Sequence, residues 1–176
     1  MKDKKLVDWI NLSKNNQRLL LFFAPKTPTQ VKTELGIDKF NLKPYLKRSL
    51  IECLNPESTK GKLYVLTNKA RKMFKISFPF QKTKKDYDLI GWILASPRQR
   101  YVVLKMLSLN SVRHTSEEIR IRSSNLNPCL SRISTKSILR ELIKKGLVET
   151  EMGRDRKRYY WVNETGKTVY KDIESL

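Results

Sequence analysis

Both halves of the chain carry apolar residues at the three- and four-residue intervals typical of an α-helix packed against a core. The sets that predict a first helix are Leu19, Leu20 and Phe23 in one half, and Val102, Val103 and Met106 in the other. A later apolar stripe predicts a longer helix that begins near Ser134 and is ended by Gly146 in a left-handed conformation. Its members are Ile138, Leu139, Leu142 and Ile143. The corresponding helix of the first half is predicted to begin near Asn41.

Between these two helices, each half has the start signal of a shorter one. Thr27 and Thr115 are predicted N-caps, since a threonine hydroxyl can accept a hydrogen bond from a free amide of the first turn. Glu118 follows Thr115 by three residues, as a capping box requires, and Gly36 can end the first copy. The order of elements so far is therefore helix, short helix, helix.

Two β segments joined by a basic turn follow the third helix. In the second half they are predicted at 147–150 and 158–162, and in the first half the second segment is predicted at 62–66. Thr67 and Asn163 then stand where N-caps of a last helix belong.

The two halves are an internal repeat. At a shift of 83 residues, Trp9 lies over Trp92, and at a shift of 88, Thr27 lies over Thr115. A shift of 93 aligns the third helices, and a shift of 96 aligns the last β segments. The shift grows only between these blocks, where loops absorb insertions. The repeat predicts an N-terminal domain at 1–76, a linker at 77–88 and a C-terminal domain at 89–176.

This order of elements resembles the winged helix-turn-helix family. The resemblance is carried by the Thr-capped second helix, by Lys145–Glu149 at the end of the third helix and by Val162–Gly166 after the hairpin, and Trp92–Arg100 is similar to the opening of archaeal winged-helix transcription regulators. It implies an α+β, mainly α fold with two tandem winged helix-turn-helix domains, each of three or four helices and a small β-hairpin wing. Two departures are Asn55–Pro56 in the first wing and the extra residues Ser123–Arg132 in the second domain.

Charge is the strongest compositional signal. The 176 residues include 37 Lys and Arg against 17 Asp and Glu, a net charge of +20 shared by both halves. Such a charge on folded domains favours a polyanionic partner, nucleic acid first and an anionic membrane surface second. No apolar run approaches the length of a membrane span, and two cysteines with one histidine predict neither a disulfide framework nor a metal site. We therefore expect a cytoplasmic, nucleoid-associated protein without a cofactor or a membrane partner.

The candidate DNA-binding residues lie on the third helices and the wings. Under the shift of 93, Lys43 matches Lys136 and Lys47 matches Arg140, four residues apart on one helical face. The full set is Lys43, Lys47, Thr135, Lys136, Ser137 and Arg140 on the helices and Lys60, Lys62, Arg154, Arg156, Lys157 and Arg158 on the wings. The second half has 10 Arg and the first has 3, so we expect the C-terminal domain to supply most of the base specificity.

The sequence contains no convincing set of catalytic residues. His114 is predicted to be a solvent-facing loop residue, and Gly166–Thr168 lacks the earlier glycine of a phosphate-binding loop. The sequence therefore predicts a double-stranded DNA-binding transcription regulator that is not an enzyme. Alternatives are a replication-initiation or chromosome-architecture protein and an interaction module of the transcription machinery. The chain is either a monomer with two pseudo-equivalent domains or a homodimer, and the basal transcription machinery is a candidate partner.

Overall fold

The computed structural model describes residues 6, 8–10, 13–75, 83–110 and 112–176. The chain divides into two compact units, Met1–Ala95 and Ser96–Leu176. Both are mainly helical with a small antiparallel sheet, so the predicted α+β, mainly α class is confirmed. No helix in the described ranges has the length and apolar character needed to cross a membrane.

The described part of the first unit contains helices and two antiparallel strands. They are α1 (Ser13–Leu20), followed by a 3-10 turn (Leu21–Phe23), α2 (Pro28–Leu35), α3 (Lys43–Lys47), β1 (Ile51–Cys53), β2 (Tyr64–Leu66), α4 (Asn68–Phe74) and α5 (Lys84–Leu94). Strands β1 and β2 pair antiparallel, with Glu52 opposite Val65. Tyr64 also exchanges two backbone hydrogen bonds with Lys26, at N–O distances of 3.0 and 2.9 Å, so a third segment borders the hairpin.

The core of this unit corrects the predicted first-helix stripe. Leu19 is buried as predicted, but Leu20 and Phe23 are 43% and 47% exposed, and Phe22 is buried instead. The reason is the 3-10 turn at Leu21–Phe23. With three residues per turn, a 3-10 segment places Phe22 directly in line with Leu19, whereas at 3.6 residues per turn Phe23 would lie closer to that line. Other buried members of this core are Ile10, Val31, Tyr45, Leu50, Ile51, Leu66 and Ala70.

The helix ends of the first unit follow the sequence closely. Thr27 caps α2 in a capping box whose second member is Gln30, and Gly36 ends that helix at φ +63°. Thr67 caps α4 by accepting from the amide of Ala70. The predicted N-caps at Thr27 and Thr67 and the predicted helix end at Gly36 are therefore confirmed.

Helix α5 changes the predicted domain boundary. Thr83 caps it with Asp86 as the reciprocal partner, so residues 84–88 of the predicted linker are helical. Residues 77–82 of that linker lie outside the described residues. Asn55, fully buried in the loop between β1 and β2, donates from Nδ2 to the carbonyl oxygens of Gly61 and Tyr87. These contacts make α5 part of the first unit, and the second unit begins at Ser96 rather than at 89.

The second unit opens with a π-helical turn, Pro97–Tyr101. It continues with α6 (Val102–Leu109), β3 (His114–Thr115), α7 (Ser116–Ser124), α8 (Arg132–Lys144), β4 (Val148–Met152), β5 (Arg158–Val162) and α9 (Glu164–Glu174). Strand β5 lies in the middle of a three-stranded sheet of order β3-β5-β4. Val102, Val103 and Met106 are buried, as their spacing predicted.

Local side-chain bonds set the ends of these helices as well. Thr115 and Glu118 form the predicted capping box of α7. Helix α8 is capped by Ser131, so it begins two residues before the predicted Ser134. Gly146, at φ +70°, ends α8, and Asn163 caps α9. Helices α7, α8 and α9 and strands β4 and β5 therefore begin or end close to where the sequence places them, whereas strand β3 was not predicted.

Candidate nucleic-acid interface

The two third helices, α3 and α8, end in the same way, and this corrects the predicted alignment between them. After α8, Gly146 is left-handed and the amide of Leu147 donates to the carbonyl of Leu142 at 3.0 Å. After α3, Ser49 is left-handed at φ +52° and the amide of Leu50 donates to the carbonyl of Tyr45, also at 3.0 Å.

The equivalence holds at a shift of 97 residues, and the shift of 93 is wrong for this helix. Lys43 therefore corresponds to Arg140 and Lys47 to Lys144, so the predicted match of Lys43 with Lys136 does not exist. The predicted alignment of the third helices is wrong because Ser49 occupies the left-handed position after α3, which a glycine usually fills. Without a glycine to show where α3 ends, the shift of 93 pairs each apolar residue of α3 with a residue four positions, about one helical turn, too early in α8.

Helix α8 presents a polar face opposite its buried stripe. Ile138, Leu139 and Leu142 are buried, whereas Lys136, Ser137 and Arg140 are exposed. Since residues three, four and seven positions apart lie on the same side of a helix, the predicted polar face of α8 is present as an accessible surface.

Thr135 does not belong to that face. Its side chain is fully buried, and its hydroxyl donates to the carbonyl of Ser131 at 2.9 Å. Thr135 precedes Ile138 by three residues and Leu139 by four, so it lies on the apolar stripe of α8. The prediction that Thr135 contacts DNA is therefore wrong, and its role is in packing and in the first turn of the helix.

A groove of 610 Å³ runs between the start of α7, the exposed face of α8 and strand β5. Four of the predicted DNA-binding residues line it together: Lys136, Arg140, Lys157 and Arg158. The side chains of Tyr160 and Ile143 form an apolar part of the groove lining. Glu117 and Glu118 line the groove where α7 begins. The tertiary structure thus brings the helix cations and the hairpin cations, distant in sequence, to one concave surface.

Most of these cations have no acidic partner. Among the residues that the structure describes, Lys136, Arg140 and Arg158 form no ion pair, and Lys157 lies 3.7 Å from Asp155. Unpaired cations on a concave surface attract an anion without first breaking an internal salt bridge.

Both carboxylates of the groove already have hydrogen-bond partners. Glu117 pairs with Arg120 at 2.7 Å and with Arg132 at 3.0 Å, and the hydrogen bonds from these two guanidinium groups hold its pKa at about 2. Glu118 accepts from the backbone amide of Thr115 at 2.7 Å, which lowers its pKa. Two arginines therefore offset the negative charge of Glu117, whereas Glu118 remains a charged member of the α7 capping box.

The tip of the β4–β5 hairpin is held by Asp155. Its carboxylate accepts from the hydroxyl of Tyr159 at 2.9 Å and from the amide of Lys157 at 3.1 Å, and both bonds lower the pKa of Asp155. Arg154 and Arg156 project from this ordered turn, both exposed and without an ion pair among the described residues. The cations at the hairpin tip are thus carried on a turn with fixed geometry, outside the lining of the groove.

The first unit has a smaller version of this surface. A groove of 430 Å³ is lined by Lys60, Lys62 and Tyr64 together with Thr27 and its neighbours at the start of α2. Lys43 and Lys47 are exposed on α3 but are not among the residues that line this groove. With five residues, α3 is too short to offer the extended face that α8 has.

His114 does not lie where the sequence predicted, and Ile133 was not among the predicted site residues. His114 is buried in strand β3, opposite Tyr160, instead of facing solvent from a loop, and burial lowers its pKa. Ile133, which the sequence reasoning passed over, is 83% exposed in the first turn of α8. Its position three residues before Lys136 is the signal that could have identified it.

No family model, curated protein or solved structure matches this chain at a significant level. Within the described ranges, no group of three or more His, Cys, Asp or Glu side chains is arranged to hold a metal ion.

Proposed function

We propose that each unit is a winged helix-turn-helix domain and that the chain is a sequence-specific, double-stranded DNA-binding transcription regulator. The observation that carries this proposal is the groove of the second unit, where the unpaired cations of α8 and those of the β5 hairpin line one surface. A solvated charged face would not need its cations gathered from two elements into one concavity. A duplex supplies the complementary partner, since phosphates flank a groove that a helix can enter.

Helix α8 is the proposed reading element. It has 13 residues, and an α-helix with its side chains is about as wide as the major groove of B-DNA. Lys136, Ser137 and Arg140 then face the base edges or the adjacent phosphates, with the guanidinium of Arg140 able to recognise guanine through two hydrogen bonds. Residues in the first turns of a recognition helix reach furthest into the groove.

The hairpins are proposed to contact the backbone. Arg154 and Arg156 at the β4–β5 tip, and Lys60 and Lys62 in the first unit, are exposed cations on loops or strand ends. Cations in such positions bind phosphates or enter a narrow minor groove. The first unit, with lysines and a short α3, is proposed to add affinity rather than base discrimination.

The test is selection of bound sequences from a random duplex pool at about 0.15 M salt, where purely electrostatic binding is weak. We expect one enriched motif. The double variant Lys136→Ala, Arg140→Ala should lose the motif at two or more positions, by roughly tenfold in affinity per base contact.

The matched control removes one arginine and one lysine elsewhere in the second unit. Arg98 and Lys171 are exposed and lie outside the groove lining, so Arg98→Ala, Lys171→Ala lowers the net charge equally. It should retain the motif with a small uniform loss of affinity. If the pool yields no motif, or if both double variants lose affinity without losing preference, sequence-specific regulation is the wrong function for this chain.

A further inference from the structure

Ile133 is an apolar side chain in an unusual place. It is 83% exposed, more than any other large apolar residue in the described part of the chain. Its neighbours in sequence, Arg132 and Ser134, belong to the first turn of α8 and to its capping box. Among the described residues, Ile133 is not part of the buried core of the second unit, although α8 buries a regular apolar stripe on its other side.

The direction of the side chain is set by helix geometry. At 3.6 residues per turn, Ile133 lies about 60° from Lys136, about 40° from Ser137 and about 20° from Arg140 around the helix axis. Ile133 therefore occupies the middle of the polar face that contributes to the groove, not its edge. An isoleucine at this position is surrounded by groups that bind phosphates and base edges.

The major groove of DNA offers one apolar group to such a side chain. That group is the 5-methyl of thymine, which projects from the base edge beside the hydrogen-bonding atoms. An apolar protein surface is a poorer match, because docking it over Ile133 would also remove Lys136 and Arg140 from water without supplying counter-charges.

We infer that Ile133 is a specificity-determining residue that contacts the 5-methyl group of a thymine in the target duplex. This inference rests on the proposed function of α8. It adds a thymine to the target at a position close to the bases that Lys136 and Arg140 read, since the three side chains share one face of the helix.

The test replaces thymine by deoxyuridine, which differs only in lacking the methyl group. Each thymine of the enriched motif is replaced in turn, and the affinity of each duplex is measured for the native chain and for Ile133→Ala. We expect one replacement to weaken native binding by about fourfold, the effect of one methyl group no longer buried. Ile133→Ala should bind both forms of that duplex equally well, and Ile133→Val should restore part of the difference.

The matched control is Ile121→Ala, which removes another exposed isoleucine, 53% accessible, from α7. It should discriminate thymine from deoxyuridine as the native chain does. A motif without thymine, native binding that ignores every replacement, or an Ile133→Ala variant that still discriminates would each overturn the inference while leaving sequence-specific binding intact. Failure to recover any motif would remove the proposed function, and the inference with it.

Discussion

Gly61 and Gly91 meet backbone to backbone in the first unit. A Cβ atom on Gly61 would lie 1.8 Å from the carbonyl oxygen of Gly91, and one on Gly91 would lie 2.1 Å from the carbonyl oxygen of Gly61. Asn55 stands beside them and joins the hairpin loop to α5 by donating to the carbonyls of Gly61 and Tyr87 at 3.1 and 3.4 Å. The hairpin loop of the first unit is thus packed closely against a helix.

We expect Gly91→Ala to destabilise the first unit by about 1–3 kcal/mol, because backbone atoms cannot yield to a new methyl group as a flexible side chain can. Thermal or urea unfolding of the full chain measures it. Gly36→Ala is the control, since a Cβ there meets nothing within 4 Å and the cost is only that of its positive φ. A Gly91→Ala variant as stable as the native chain would contradict the close packing of the loop on α5.

Ser49 and Gly146 hold equivalent left-handed positions, at φ +52° and +70°, so exchanging their residue types should have opposite effects. Ser49→Gly is expected to stabilise the chain, and Gly146→Ser to destabilise it, each by about 1 kcal/mol. A Cβ on Gly146 would meet nothing within 4 Å, so crowding adds nothing there. Chemical unfolding of both variants and of the exchanged pair measures these effects. Changes of the same sign would contradict the alignment at a shift of 97.

His114 should make the second unit less stable in mild acid. Burial, with a contribution from Arg122, lowers the pKa of His114 below its ordinary value of 6.5, so the unfolded chain takes up a proton more readily than the folded one. Stability is then expected to fall as the pH drops below about 6.5 towards the lowered pKa. His114→Gln should flatten this dependence. Because His114 is the single histidine, NMR titration of its ring reports the pKa directly. A pKa at or above 6.5 would refute the prediction.

Glu117→Gln is expected to strengthen DNA binding. The change removes a negative charge from the groove and releases Arg132, which Glu117 holds at 3.0 Å. We expect a gain on the order of threefold in affinity at 0.1 M salt, shrinking as salt rises. Glu164→Gln is the matched control, because Glu164 pairs with Lys167 on α9, away from the groove lining. Equal gains in both variants would mean that only net charge matters.

The ion pair of Glu117 with the two arginines should persist in acid down to about pH 2, because the pKa of Glu117 is lowered to about 2 and the carboxylate stays ionised above that pH.

Arg154→Ala and Arg156→Ala should weaken binding without changing the selected motif. Both arginines are exposed at the hairpin tip, where phosphate contacts carry no sequence information. Each substitution is expected to reduce the slope of log affinity against log salt by about one. Titrations at three salt concentrations measure the slope, and Lys171→Ala on α9 is the control. Loss of a motif position in either variant would show that the β4–β5 hairpin reads bases.

The sequence alone determined the class of the fold and most helix ends. Thr27, Thr115 and Asn163 cap the helices predicted for them, and Gly36 and Gly146 end theirs. These features rest on hydrogen bonds and backbone angles within three or four residues, which are visible in one stretch of sequence. The burial of Ile138 and its stripe follows from the same short-range periodicity.

Only the tertiary structure decided how distant segments combine. His114 is buried because β3 pairs with a strand 46 residues later, at Tyr160, and α5 joins the first unit through contacts with Asn55 and Gly61. The groove of the second unit likewise exists only because α8 and β5 lie beside the start of α7. Such contacts are selected by packing among whole elements, and no local propensity or spacing encodes them. Charge and periodicity therefore predicted which residues are candidates, and the fold decided which of them share a surface.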